Sequence, residues 1–343
     1  MTALTNAEIC YLLAFPDATE KATEPPQKIR GLKDAPYFQP LDVTVRTLGQ
    51  FQVEAMGVGV TVTRQKYDER IQMVECRFSL PAILSEESNQ LCESIQKALT
   101  GRLVPREHQE SGLFEQYVIL LARGLDEAPD DFVKKNATAL TRFIRTQREL
   151  FDKKQIDEIL SSRVRYSKDD LTLVDWEGAL VVAVDGDYQS DIELLKVGNY
   201  QLLRYRMVDQ TLDNSLRLIN EKFRANPRRF LPGPTRGQIR RIVQLRLDIM
   251  LDFEHTEQNL LLIGDWYTAQ LYHAIRDEFY LEEWKQSIKD KLDNLQDIIQ
   301  TIQENFSLTW AGLLERVELI GWIVLLIGYF VLFFMEEIFK NKP

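Results

Sequence analysis

An α+β head domain, a long helical hairpin or coiled-coil stalk, and one C-terminal transmembrane helix make up the architecture that this sequence predicts. Three observations predict it. Strand-like and helix-like runs alternate up to about Asp187, where strand patterns stop. Apolar residues then recur at helical spacing through most of the remaining chain. Finally, "LIGWIVLLIGYFVLFFM", Leu319 to Met335, passes with no ionisable group except Tyr329. The expected bounds are 1–40 for an irregular lead-in and 41–187 for the head. The long helices, a basic loop and the hairpin stalk take 188–312, the membrane helix 319–335 and a short tail 336–343.

Composition limits the function classes. A chain of 343 residues has room for two domains, or for one domain and a long appendage. Its 45% apolar and 27% charged content rules out global disorder. A formal charge of −10 argues against a surface that grips nucleic acid everywhere, while leaving room for a local basic patch. Cys10, Cys76 and Cys92 are far apart and lack C-x-x-C spacing, which points to reduced thiols in a cytosol-like compartment. The N-terminal "MTALTNAEICYLLAFPDATEK" has no basic residue before Lys21, and Pro16-Asp17 interrupts its apolar run. It lacks the pattern of an export signal, so the bulk of the chain is expected on the side of the membrane where it is made.

In the head, "FQVEAMGVGVTVTR" (Phe51–Arg64) and "IQMVECRFSL" (Ile71–Leu80) alternate with period two and predict strands. "SEESNQLCESIQKALTG" (Ser85–Gly101) predicts a helix with a Ser start, early acids and a Gly stop. "EQYVILLAR" (Glu115–Arg123) predicts a buried strand, and "APDDFVKKNATALTRFIRTQREL" a helix opened by Pro129 and Asp130. Three short strands follow at Arg163–Tyr166, Leu171–Trp176 and Ala179–Val184. "DGD" (Asp185–Asp187) reads as a turn and helix cap rather than a metal or phosphate site.

Beyond the head, one long helix is predicted from Asp191 to Phe223, with Ile192, Leu195, Leu202, Leu203, Met207, Leu216 and Ile219 on its apolar face. "NPRRFLPGPTRG" breaks it. A second helix runs from Gln238 to about Ile263, and Asp265 is a fitting N-cap for a third that begins at Trp266. Leu281, Ile288, Leu292, Leu295, Ile299, Ile302 and Phe306 then recur on three- and four-residue steps, interrupted by Lys285. That seam predicts either self-association or packing against a neighbouring helix of the same chain. The final run is ~25 Å long as a helix, against ~30 Å of bilayer hydrocarbon. It is apolar all round, with Trp322 and Tyr329 as interfacial aromatics. The alternative is a buried terminal helix. The expectation is a tail-anchored, single-pass protein of the inner (cytoplasmic) membrane.

The pieces "RVRYSKDDLTLVDWEGALVV", "GNYQLLRYRMVDQTLDNSLRLI", "DWYTAQLYHAIRDEFYLEEWKQSIKDKLDNLQDIIQTIQE" and "LLERVELIGWIVLLIGYFV" together resemble the family named for "required for meiotic nuclear division" proteins. Trp266, Leu271 and Tyr272 sit at that family's Trp…Leu-Tyr positions, with Glu318-Leu319 before the apolar run. The likeness covers about residues 160 to 335. It implies a mixed α/β region, a helical hairpin, one C-terminal span and no established enzymatic activity. The family's mitochondrial member supports translation of membrane proteins by holding ribosomes near the membrane. With no transit-peptide pattern, a bacterial relative is expected here. A remoter likeness to magnesium channels fails for want of a second span and a Gly-Met-Asn signature.

The strongest local anomaly is "RANPRRFLPGPTRGQIRRIVQLR", where Arg224, Arg228, Arg229, Arg236, Arg240, Arg241 and Arg246 occur without an acid. Arginine forks bind phosphates and carboxylates bidentately. The partner is then an acidic macromolecule, RNA, ribosome or protein, unless Asp290, Asp293 and Asp297 satisfy these arginines internally. Arg240 would stand ~45 Å from the membrane along a straight helix, far beyond ~8 Å of screening, so lipid is disfavoured. His255 and His273, with Asp252 and Asp277, are weak candidates for a metal site. No P-loop, dinucleotide fingerprint, H-E-x-x-H or G-x-S-x-G motif is present. No catalytic residue, cofactor or small-molecule substrate is therefore expected. The functional expectation is a membrane scaffold that self-associates through its stalk. The alternatives are a tether for RNA or ribosomes through the arginines and, less favoured, a metal-dependent regulator or enzyme.

Overall fold

The computed structural model describes residues 7–17, 27–28, 43–145, 151–224, 240, 243–244, 247, 250–251, 253–254 and 266–340. The chain divides into two compact units, Met1–Thr211 with Asp252–Ile288, and Leu212–Leu251 with Lys289–Pro343.

The first unit is built on a mixed sheet. Its strands are β1 Ala7–Pro16, β2 Gln27–Lys28, β3 Thr44–Ala55, β4 Val58–Tyr67, β5 Ile71–Phe78, β6 Glu115–Arg123, β7 Arg163–Val164, β8 Leu171–Val174 and β9 Gly178–Ala183. They lie in the order β2-β3-β4-β5-β1-β6-β9-β8-β7. Neighbours are antiparallel except for the parallel pair β6 and β9.

The helices are α1 Glu86–Leu103, α2 Arg106–Ser111, α3 Pro129–Lys135, α4 Ala137–Ile144, α5 Lys153–Ile159, α6 Gln189–Arg224, α7 Trp266–Glu278 and α8 Leu281–Lys340.

Both faces of the sheet are covered. On one face Ile9, Tyr11, Leu13, Val62, Val74, Cys76, Val118 and Leu120 join one apolar core with Ile95 and Leu99 of α1, Phe132 of α3 and Leu140 of α4. On the other, Ala14, Tyr67, Ile71 and Met73 pack against Val197, Tyr200 and Leu203 of α6. The strand sequences require this. Ile9 to Phe15 and Tyr117 to Ala122 are buried at every position, and an apolar run with no polar alternation needs cover on two sides.

Several expectations are corrected here. The lead-in 1–40 contains β1, which lies between β5 and β6 in the interior of the sheet. Pro16 ends that strand, a position where it forfeits little of the ladder. The run Phe51–Arg64 is the tip of a hairpin, turned at Met56 (φ 52) and Gly57 (φ 78). Two positive-φ residues form the tight loop whose twist suits paired strands. Gly101 lies inside α1, which runs on to Leu103. The single helix expected from Pro129 is two, broken at Asn136 (φ −107), whose amide donates to Phe132 O at 2.9 Å.

The head–stalk boundary at 187/188 is also displaced. Residues through Thr211, and again Asp252–Ile288, belong to the sheet unit. In the second unit Leu212, Leu292 and Leu295 are buried, and Lys291 pairs with Asp213 at 2.7 Å. This part of the predicted seam is therefore occupied by the chain's own helix.

The predicted C-terminal transmembrane helix is not supported. Among the described residues, no helix is long and apolar enough to cross a membrane. The tail-anchored, single-pass placement in an inner membrane is corrected with it. The apolar run is not a separate span but the far part of the 60-residue helix α8, continuous with the charged positions Glu315 and Glu318. At ~25 Å the uncharged stretch falls short of ~30 Å of hydrocarbon. The expected belt residues Trp322 and Tyr329 are each 68% exposed on that helix.

Ser85 caps α1 as predicted, accepting from Ser88 N at 3.2 Å. Ser85→Ala should cost about 1 kcal/mol, read as a lower urea midpoint with an unchanged slope.

Candidate functional site

Strand β9 begins beside Val118, so Glu115 to Tyr117 of β6 extend past its start. A cleft of about 680 Å3 opens there. Gln116 and Tyr117 of β6, Trp176 and Glu177 of the turn before β9, Asn199 and Arg206 of α6 and Trp284 of α8 line it. Ligand clefts commonly fall in the range of roughly 300–1,000 Å3.

Its polar groups are held in place. Arg206 donates to the Glu115 carboxylate, to Phe114 O at 3.1 Å and to Gly112 O. Burial pushes the Glu115 carboxyl above its usual range, more than Arg206 pulls it down. Tyr11 donates to Gln116 Oε1 at 2.9 Å. The Trp176 ring packs against Phe279 and Tyr280, with centroids 6.2 and 5.7 Å away.

An acidic group backs the cleft. Asp175 is buried and bound by Arg145 through Nε at 2.7 Å and Nη2 at 2.8 Å. Even so, burial raises its carboxyl above the ordinary range. Glu177 is raised by burial and by Asp175, against the pull of Arg145, and Glu278 by burial and the same neighbour. One guanidinium thus serves three carboxyls.

A second polar cluster lies where α6 crosses β4 and β5, beside a hollow of about 320 Å3. Lys196, only 1% exposed, sits 2.5 Å from Glu75 and 2.8 Å from Glu193, and donates to Gln65 Oε1 at 3.0 Å. Arg77 closes on Glu75 from the other side at 2.5 Å. Every charge here has a partner, as a buried network requires. Cys10, Cys76 and Cys92 are free and buried, and burial pushes the Cys76 and Cys92 thiols up to about 12. They behave as apolar filler.

Among the described residues, none of the sequence-predicted site residues lines this cleft. Arg224 ends α6 and Arg240 is exposed. Arg228, Arg229, Arg236, Arg241, Arg246, Asp252 and His255 lie outside the described residues. His273 and Asp277 are exposed on α7, Asp277 beside Arg276 at 3.2 Å. Among the described residues, no group of three or more His, Cys, Asp or Glu side chains is placed to hold a metal ion. "DGD" forms a turn, in which Asp185 accepts from Asp187 N and Asp187 from Gln189 N. Sequence reasoning missed the cleft. Its one local signal was "DWEG", an aromatic and an acid in a strand connection.

The fold defines the class, a mixed-sheet α/β domain closed by helices on both faces. The sheet's own sequence then places it more narrowly. The chain belongs to the family described as "Uncharacterized protein MJ0711, N-terminal domain", whose profile matches residues 8–189. The match runs from β1 to the start of α6. The curated relative "Uncharacterized protein MJ0711" of Methanocaldococcus jannaschii is 26% identical over 194 residues, covering 54% of this chain and 57% of that protein. The likeness thus spans little more than half of either chain. No solved structure matches.

Proposed function

We propose that the protein is a self-associating scaffold in which the apolar far end of α8 is the assembly surface. The observation that carries this reading is exposure. Leu319, Ile320, Trp322, Val324, Leu325, Leu326, Tyr329 and Leu332 are all 60% or more exposed, and at 3.6 residues per turn they fall on every side of the helix. An apolar surface of that extent marks an interaction site. The occupant is a second copy of the same segment. Gly321 and Gly328 recur at seven residues on one face, and a Cβ at either would meet nothing within 4 Å, so neighbouring helices have room for close approach. A two-helix coiled coil covers only one stripe. A helix apolar all round needs several neighbours, so the assembly is a trimer or larger.

Light scattering of the full chain should give a mass at least three times 40.0 kDa, and Ile323→Glu with Leu326→Glu should reduce it to one. A wild-type protein that stays monomeric at micromolar concentration would contradict the reading.

A further inference from the structure

We propose that the cleft at the starts of β6 and β9 binds a small organic ammonium ion. Size admits such a ligand, since about 680 Å3 is more than a single water or metal ion needs. The walls select it. Trp176 and Trp284 both border the cleft and both are half-buried, with Tyr117 beside them. Indole faces attract cations through their negative quadrupole, and more strongly where water is excluded.

The charges point the same way. The one guanidinium on the wall, Arg206, is already matched by Glu115 and by two carbonyl oxygens. That leaves Glu177 on the wall, with Asp175 and Glu278 behind it and Arg145 as their common cation. The carboxyls there outnumber the guanidinium three to one. Burial raises all three carboxyls, and the charge of Asp175 adds to the rise of Glu177 and Glu278, which an incoming cation relieves. Among the described residues of the wall, an anion would meet Glu177 with no unmatched cation to receive it. No group of three or more His, Cys, Asp or Glu side chains among the described residues is placed to hold a metal ion. The ammonium head is therefore held between the indoles, with its charge toward Glu177.

Titration calorimetry of the full chain with choline and with putrescine tests this, using the uncharged carbon isostere of choline as the control. At least one cation should bind saturably, and the isostere should bind at least about tenfold more weakly. Glu177→Gln should weaken the cation by a similar factor without lowering the melting temperature. If Glu177→Gln does not fold, Trp284→Leu provides the same reading through lost affinity and reduced quenching of tryptophan fluorescence. Failure of both cations to saturate at millimolar concentration would overturn the proposal. Equal binding of the isostere, or full affinity in the variant that folds, would do the same.

Discussion

Lys196→Met should lower the stability of the folded chain by about 3 kcal/mol at neutral pH, the low end of what breaking a buried ion pair costs. The lysine is 1% exposed and lies within 2.8 Å of two carboxylates that are themselves mostly buried, Glu75 at 9% and Glu193 at 12%. Methionine keeps the length of the side chain and fills the space, so the loss is electrostatic rather than a cavity. Arg77 remains on Glu75 and keeps the figure from rising further. Adding Glu75→Gln should restore part of the stability, because it removes one of the two carboxylates that the lysine leaves. Glu193 still lacks its ammonium, and Arg77 keeps Glu8 at 3.6 Å. Urea unfolding measures both. A single variant within about 1 kcal/mol of wild type would show that the network contributes little.

The same network sets a pH window. Burial pushes the Glu75 carboxyl up, but Lys196 and Arg77 outweigh it and hold it below its usual range. Burial pulls the Lys196 ammonium down, but Glu193 and Glu75 hold it above its ordinary value. A depressed carboxyl stabilises the fold above its unfolded value of about 4.3, and that contribution is lost as pH falls through the folded value. A raised ammonium stabilises below about 10.4, and loses that contribution as pH rises through the folded value. The gap between wild type and Lys196→Met should therefore be flat between those limits and close in acid.

What could be read in advance was local. Strand β6 has the bounds that its apolar run implied, Glu115–Arg123. Helix α6 extends the Asp191–Phe223 prediction by two residues at its start and one at its end, because 3.6-residue periodicity is a property of the segment alone. Ser85 caps α1 for the same reason. Strand β1 was missed because its role depends on distant partners: Leu12 pairs with Glu75 on one side and Tyr117 on the other. The cover of the second sheet face was missed likewise. Nothing in the helical pattern of Ile192 to Leu203 says whether its apolar stripe meets a helix or a sheet.

The cleft draws Trp176, Arg206 and Trp284 from three separate elements, so no spacing in the sequence announces it. The C-terminal run misled for the opposite reason. Hydropathy was legible, but it does not distinguish a separate span from the far end of a continuous helix. The resemblance over residues 160 to 335 and the family match over 8–189 share only 160–189, so they concern largely different parts of the chain.

Gly178→Val should be strongly damaging to the sheet. A Cβ on Gly178 would lie 2.7 Å from Val118 O, 2.8 Å from Val118 Cγ1 and 3.2 Å from Ile144 O. Two of these are backbone atoms, which cannot swing aside. The strands themselves must separate, and they are β6 and β9, among the described residues the one parallel pair and the junction between six strands on one side and three on the other. Overpacking of this kind costs about 1–3 kcal/mol, and more where backbone must move. Gly178→Ala should fall in that range and Gly178→Val beyond it. Hydrogen exchange separates this from a general loss of packing, since amides of β8 and β9 should lose protection before those of β1 and β5. The consequence reaches the cleft as well. Val118 N donates to Glu177 O at 3.3 Å, one residue before the glycine, so displacing β9 moves Trp176 and Glu177 away from Trp284. Gly178→Ala should therefore weaken cation binding at a temperature where the fold is still intact. A variant with native stability and native exchange would mean that the close approach of β6 and β9 has slack the geometry does not show.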